Sequence, residues 1–188
     1  AIVLGPGLKI ELSELEFILD KIQELSKPVV IDAGVFPFIN SGLSLEKFPE
    51  RTIFTPHIGE LENISLNIKT NFYSDPIHFL DDLIEELNGK YCLIKGQPNF
   101  LIHPDGSINL MNHGSPMLAT AGTGDVLSGM IGGLLSQGYN EQDAMMIGSW
   151  IHAESALIYS ENFGSQGMIA SDLLDFIPSA FEKYVSHR

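Results

Sequence analysis

Short apolar runs alternate with helical stretches along this chain, and that alternation constrains its fold more than any other feature. Residues 1–4, 29–32, 52–55 and 91–94 are each rich in Val, Ile, Leu or Phe and have the length of a strand. Between the first two, residues 11–25 place Leu12, Leu15, Ile18, Leu19, Ile22 and Leu25 on one side of a predicted helix that Pro28 closes. A second helix is predicted over residues 76–87, ending near Asn88-Gly89. Strand, helix and strand in this rhythm mean a parallel sheet joined by crossover helices. Residues 100–103 and 108–111 flank His103-Pro104-Asp105-Gly106, the mark of a β-hairpin. The last third is helical: from the turn at 122–124 to about residue 135, over residues 143–159, and over residues 171–184. No repeat, low-complexity tract or linker interrupts the pattern, so the 188 residues are read as one domain, 1–188.

Charge and cysteine usage narrow the function. Ten Lys and Arg against 24 Asp and Glu give a net charge of −14, which argues against nucleic acid and anionic membranes as partners. A phosphate site in such a chain must rely on backbone amides and a few placed cations. No run is long enough to span a membrane and no signal segment opens the chain. The single Cys92 excludes an internal disulfide and fits a reducing, cytoplasmic setting. Its neighbours Tyr91, Leu93 and Ile94 make it a buried strand thiol rather than a nucleophile. The chain opens inside a strand, from which a domain incomplete at its N-terminus is expected.

The strands end at Gly5-Pro6-Gly7, Asp32, Thr55-Pro56-His57 and Lys95-Gly96, and ligands of open α/β sheets gather at such carboxyl ends. The run Thr120-Ala121-Gly122-Thr123-Gly124-Asp125-Val126-Leu127 adds glycines that admit an anion to the main chain, then a helix whose first amides lack internal partners. Asp125 is a candidate general base beside that anion; read alone, the same residues also suit a turn with Asp125 as a helix cap. Lys95 can hold a phosphate as a point charge, or be a surface lysine beside a turn. His57 can hydrogen-bond a substrate or shuttle a proton, and Glu60 can hold a hydrated Mg²⁺; a loop histidine and a first-turn glutamate would look alike. His152 and Glu154, inside the longest helical stretch, are read as a satisfied core histidine and a helix-surface carboxylate. Zinc spacings, a serine nucleophile elbow, a Walker A loop and a Gly-x-Gly-x-x-Gly fingerprint are absent from the sequence.

Gly5-Pro6-Gly7-Leu8, Thr55-Pro56-His57-x-Gly59-Glu60, Leu93-Ile94-Lys95-Gly96, Pro104-Asp105-Gly106 and Ala119-Thr120-Ala121-Gly122-Thr123-Gly124-Asp125 occur in this order. Together they resemble the ADP/ATP-dependent NAD(P)H-hydrate dehydratases, and Ile169-Ala170-Ser171-Asp172-Leu173-Leu174 resembles that family's ending. The resemblance covers essentially the whole chain. It implies a ribokinase-like, three-layer α/β/α fold with a mostly parallel central sheet, lacking an N-terminal part. It also implies a repair lyase that dehydrates hydrated NADH or NADPH at the expense of ADP or ATP, with Mg²⁺ required. By similarity Asp125 contacts the hydrate and acts as base, and His57 and Gly7 (or Gly5) touch the hydrated nicotinamide nucleotide. Lys95, Gly96, Gln97, Pro98, Asn99, Gly122, Thr123 and Gly124 line the nucleotide site. A homo-oligomer is expected, and an epimerase as a partner or fused domain. The chain departs from the pattern at Ile58 (usually Pro), Asn99 (Thr), Ser115 (Asn) and Gly34 (a second Asp). A small-molecule kinase built on the same Asp125 chemistry, or a nucleotide-binding relative without turnover, are the rival readings.

Overall fold

Strand residues of this protein alternate between two hydrophobic cores, which is how one sheet comes to carry helices on both faces. In the computed structural model, which describes residues 1–64 and 68–186, Val29, Ile31, Phe54, Cys92, Ile94 and Ile102 enter one core, while Val30, Ile53, Leu93 and Leu101 enter the other. This is the period of two that a pleated strand imposes. The six strands are β1 (Ile2–Leu4), β2 (Val29–Ile31), β3 (Thr52–Phe54), β4 (Tyr91–Ile94), β5 (Asn99–Ile102) and β6 (Ile108–Met111), and they lie side by side in chain order. The first four are parallel, with Val30 set between Val3 and Ile53; β4, β5 and β6 pair antiparallel through the expected hairpin.

Helices α1 (Leu12–Leu25), α2 (Phe36–Asn40), α3 (Leu61–Ile64) and α4 (Pro76–Leu87) contribute to the first core. Local chemistry sets the ends of the longer two. A Glu11/Glu14 capping box opens α1, and Ser26 closes it in the left-handed region. Asp75 caps α4 ahead of Pro76, and Asn88 ends it with φ 48°. The second core is covered by α5 (Thr123–Ser136), α6 (Glu141–Phe163) and α7 (Asp172–Ser186). Helix α6 is longer than residues 143–159, because Asn140 accepts from the Asp143 amide at its start and Tyr159 and Phe163 pack on Phe176 at its end. Helix α7 runs through Pro178.

The carboxyl ends of the parallel strands meet closely at one point. Gly5 has φ +129°, and a Cβ there would stand 1.7 Å from the Asp32 carbonyl oxygen, so only glycine allows the β1 and β2 exits to touch. No helix among the described residues is long and apolar enough to cross a membrane.

Candidate active site

Asp32, Thr55 and Lys95 are the first residues beyond β2, β3 and β4, and the three converge beneath the start of α5. Asp32 is fully buried. Its Oδ1 accepts from the Ala33 amide (2.9 Å) and from Lys95 Nζ (2.8 Å), and its Oδ2 accepts from the Ser128 hydroxyl (2.6 Å). Thr55 Oγ1 stands 3.3 Å from Ser128 Oγ and donates to the Ile31 carbonyl. A buried carboxylate is tolerated because each of its oxygens is met by a donor, one of them charged.

Helix α5 begins with Gly122 in the left-handed region at φ 87° and without a side-chain cap; the Thr123 amide donates to the Thr120 carbonyl (3.3 Å), and the Gly124 and Asp125 amides of the first turn keep their donors for something else. The Lys95 ammonium reaches that turn: a Cβ on Gly124 would lie 3.1 Å from Lys95 Nζ. Asp125, exposed in the same turn, completes a set of outward amides, one ammonium and one carboxylate. This set opens onto a cavity of about 900 Å³. Lining the same cavity, His57 and Glu60 form a reciprocal capping box. The Glu60 amide donates to His57 Nδ1 (3.1 Å), and the His57 amide donates to Glu60 Oε2 (2.8 Å). Glu60 Oε2 is 4.0 Å from Lys95 Nζ, so the lysine stands between two carboxylates.

The cavity brings together most of the residues singled out from sequence. Asp125, His57, Glu60, Lys95, Gly96, Gln97, Asn99, Gly122, Thr123 and Gly124 line it; Gly7 and Pro98 are not among its lining residues. Asn99, where the motif has threonine, accepts from the Gly96 amide at 2.9 Å and so closes the turn after β4. Among the described residues no group of three or more His, Cys, Asp or Glu is arranged to hold a metal ion.

Sequence reasoning gave Asp32 no role beyond marking a strand end where ligands gather, and it passed over His113. Asp32 was legible as a carboxylate placed at the end of an all-apolar strand. His113 had no signal beyond lying between two site motifs. It lines the cavity, and its Nε2 is 3.0 Å from Glu154 Oε2. Glu154 is not a surface carboxylate: it is buried, and its Oε1 accepts from Lys183 Nζ at 2.8 Å. Burial works against its charge, yet the Lys183 ammonium and His113 outweigh burial and hold the carboxyl below its ordinary range. For Cys92, burial pushes the thiol up, in keeping with an inert strand residue.

His152 is the satisfied core histidine the sequence suggested, with Nε2 2.9 Å from the Thr123 carbonyl, though it also faces the cavity. Burial, with the Lys95 charge adding to it, pushes its pKa down to about 4 despite that hydrogen bond. The unfolded chain, with histidine near 6.5, therefore binds more protons than the folded one between those values. The stability contributed by neutral His152 is fully present above pH 6.5 and is lost as pH falls toward 4, on the order of 3 kcal/mol in all. Urea midpoints measured from pH 7.5 to 4 should fall accordingly. A His152→Gln variant should show a flatter profile; an unchanged slope would remove His152 as its source.

Similarity to known proteins agrees with this geometry. The family model described as NAD(P)H-hydrate dehydratase matches residues 1–179. The bifunctional NAD(P)H-hydrate repair enzyme Nnr of Dictyoglomus turgidum is 30% identical over 190 residues, covering all of this chain and 36% of that protein. The ADP-dependent (S)-NAD(P)H-hydrate dehydratase of Lactococcus lactis is 32% identical over 186 residues, covering 97% of this chain and 65% of that one. This chain thus spans about a third of the first relative and just under two thirds of the second. The Bacillus subtilis ADP/ATP-dependent NAD(P)H-hydrate dehydratase co-crystallised with ATP/Mg²⁺ superposes with a TM-score of 0.81 at 24% identity, over 97% of this chain and 64% of that one. The three-layer architecture is ribokinase-like, and the chain belongs to the NAD(P)H-hydrate dehydratase family.

Proposed function

We propose that this chain carries the ADP- or ATP-dependent dehydration of hydrated NADH or NADPH. The observation that carries the reading is one turn of helix: outward amides at Gly124 and Asp125, the Lys95 ammonium beside Gly124, and the Asp125 carboxylate, all facing one cavity. The amides and Lys95 would hold phosphoryl oxygens and offset the charge that develops there. Asp125 would take the proton of the hydrate's hydroxyl as that oxygen attacks the terminal phosphorus and the nucleotide leaves. Loss of the phosphate with its C–O bond, and of a proton from the adjoining carbon, restores the ring double bond. His57, held by Glu60 and bridged to Lys95, would meet the hydrated nicotinamide nucleotide in the same cavity. Mg²⁺ would enter with the nucleotide, with Glu60 as its one carboxylate. The relatives named bifunctional support an epimerase joined to this domain or acting beside it. An oligomeric, cytoplasmic enzyme completes the reading.

The test follows absorbance at the reduced-nicotinamide band in mixtures of protein, NADH hydrate, Mg²⁺ and either ADP or ATP. Recovery that requires one nucleotide and releases inorganic phosphate is expected. A stable phosphorylated product without recovery would move the assignment to a kinase.

A further inference from the structure

Two tasks suit a histidine beside a substrate, donating a hydrogen bond or taking a proton, and the backbone around His57 favours the first. A neutral imidazole carries its proton on one ring nitrogen and a lone pair on the other. The Glu60 amide can only donate, and it donates to His57 Nδ1 at 3.1 Å, so Nδ1 holds the lone pair and Nε2 the proton. A proton on Nδ1 would instead face the amide hydrogen. Glu60 Oε1 lies 3.6 Å from Nε2, too far for a hydrogen bond, so the Nε2–H stays available on a side chain that lines the cavity. A base needs its lone pair free, and here the main chain has taken it. The ring also lies over the turn that it caps. A Cβ on Gly59 would stand 3.0 Å from His57 Cε1 and 3.2 Å from Nδ1, and the exposed ring would be the part to give way. Gly59 is not among the glycines with positive φ, so space for the imidazole, rather than backbone conformation, accounts for glycine there. Beneath it, the Lys95 amide donates to the Pro56 carbonyl at 2.7 Å and keeps His57 in register with Lys95.

We propose that His57 serves this site as a hydrogen-bond donor of fixed tautomer and takes no proton, and that Gly59 is the positioning residue that maintains it. The inference rests on the hydrate reading given above. The Nε2–H requires an acceptor, and the hydrated ring offers two, its carboxamide oxygen and its hydroxyl oxygen. NADH has the first and lacks the second, so the two ligands together identify the partner. One hydrogen bond to an uncharged acceptor changes affinity by roughly 3- to 10-fold, whereas a general base contributes about 10²–10⁴-fold to turnover. Magnitude therefore separates the two roles.

NADH hydrate, NADH and ADP are titrated by calorimetry into the full chain and into His57→Leu, His57→Gln and Gly59→Ala, and kcat is measured for each. His57→Leu is expected to weaken hydrate binding by roughly 3- to 10-fold and to leave ADP binding as it was. His57→Gln, which has an amide N–H but no basic nitrogen, should recover most of that loss. In both variants kcat should fall by less than about tenfold. Gly59→Ala should weaken hydrate binding much as His57→Leu does. Long-range ¹H–¹⁵N spectra of the ¹⁵N-histidine-labelled chain, with His57 identified by the signals missing in His57→Gln, should show the proton on Nε2 in the wild type and a mixture of tautomers in Gly59→Ala. Loss shared by NADH assigns the carboxamide oxygen as acceptor, and loss confined to the hydrate assigns the hydroxyl. A proton on Nδ1 in the wild type, unchanged hydrate affinity in His57→Leu, or a fall in kcat of about 100-fold or more in both His57 variants would overturn the donor role. Gly59→Ala matching the wild type in affinity and spectrum would overturn the positioning role. A wild type that binds the hydrate without turning it over would overturn the proposed function and leave the donor standing; one that binds no hydrate would overturn both.

Discussion

Asp125→Asn is expected to lower turnover by about three orders of magnitude while ADP and ATP affinities stay near wild type, because a positioned general base commonly contributes 10²–10⁴-fold. Asparagine keeps the shape and the polar contacts of the first turn of α5, where Asp125 is exposed, so neither folding nor the amides around Gly124 should suffer. What the change removes is a place for the hydroxyl proton. The relevant comparison is kcat for recovery of the reduced-nicotinamide band against nucleotide Kd from calorimetry. Turnover within a few-fold of wild type would remove Asp125 as the base and shift attention to His57, another titratable residue lining the cavity.

Asp32→Ala should be the most destabilising single change in the site, by about 3–5 kcal/mol. The carboxylate is fully buried, and its removal leaves the Lys95 ammonium, the Ser128 hydroxyl and the Ala33 amide without their acceptor in one stroke. Lys95→Ala should also destabilise the fold, because it leaves Asp32 charged and unpaired, and it should in addition weaken ADP and ATP binding. The double variant Asp32→Leu/Lys95→Met separates the two effects. Replacing both members of a buried pair by apolar groups is often close to neutral for folding, so stability should recover while nucleotide binding does not. Urea midpoints give the first quantity and calorimetry the second. If the double variant recovered both, Lys95 would be a structural residue alone.

The framework of this fold is legible in its sequence where one physical rule acts alone. Val29-Val30-Ile31 is apolar at every position because both faces of β2 are covered, and Pro76 and Asn88 mark the ends of α4 by conformations few other residues favour. The rule fails where a residue serves two masters. Glu154 lies in a helix whose polar and apolar positions show little segregation, so nothing in the pattern marks it as buried; only α7, arriving with Lys183, does so. Helix α2 and the 3-10 turn at Ile58–Glu60 are too short for periodicity to register. The site shows the same division. Its motif residues were visible because glycine, lysine and aspartate at strand and helix ends carry specific chemistry. Asp32 and His113 act through partners 63 and 41 positions away in the chain, Lys95 and Glu154, and that proximity exists only after folding.

The start of α5 is held from three directions. Ser128 ties it to Asp32 beyond β2 and to Thr55 beyond β3, His152 of α6 holds the Thr123 carbonyl, and Thr123 Oγ1 donates to the Leu118 and Thr120 carbonyls behind it. Such a helix end is a fixed jaw. The cavity wall formed by the His57 and Gln97 side chains is held more loosely: His57 shares an exposed capping box with Glu60, three residues on, and Gln97 reaches Asn112 through a long bond of 3.4 Å. Substrate range can change on that wall without disturbing the anvil on which the phosphates would rest.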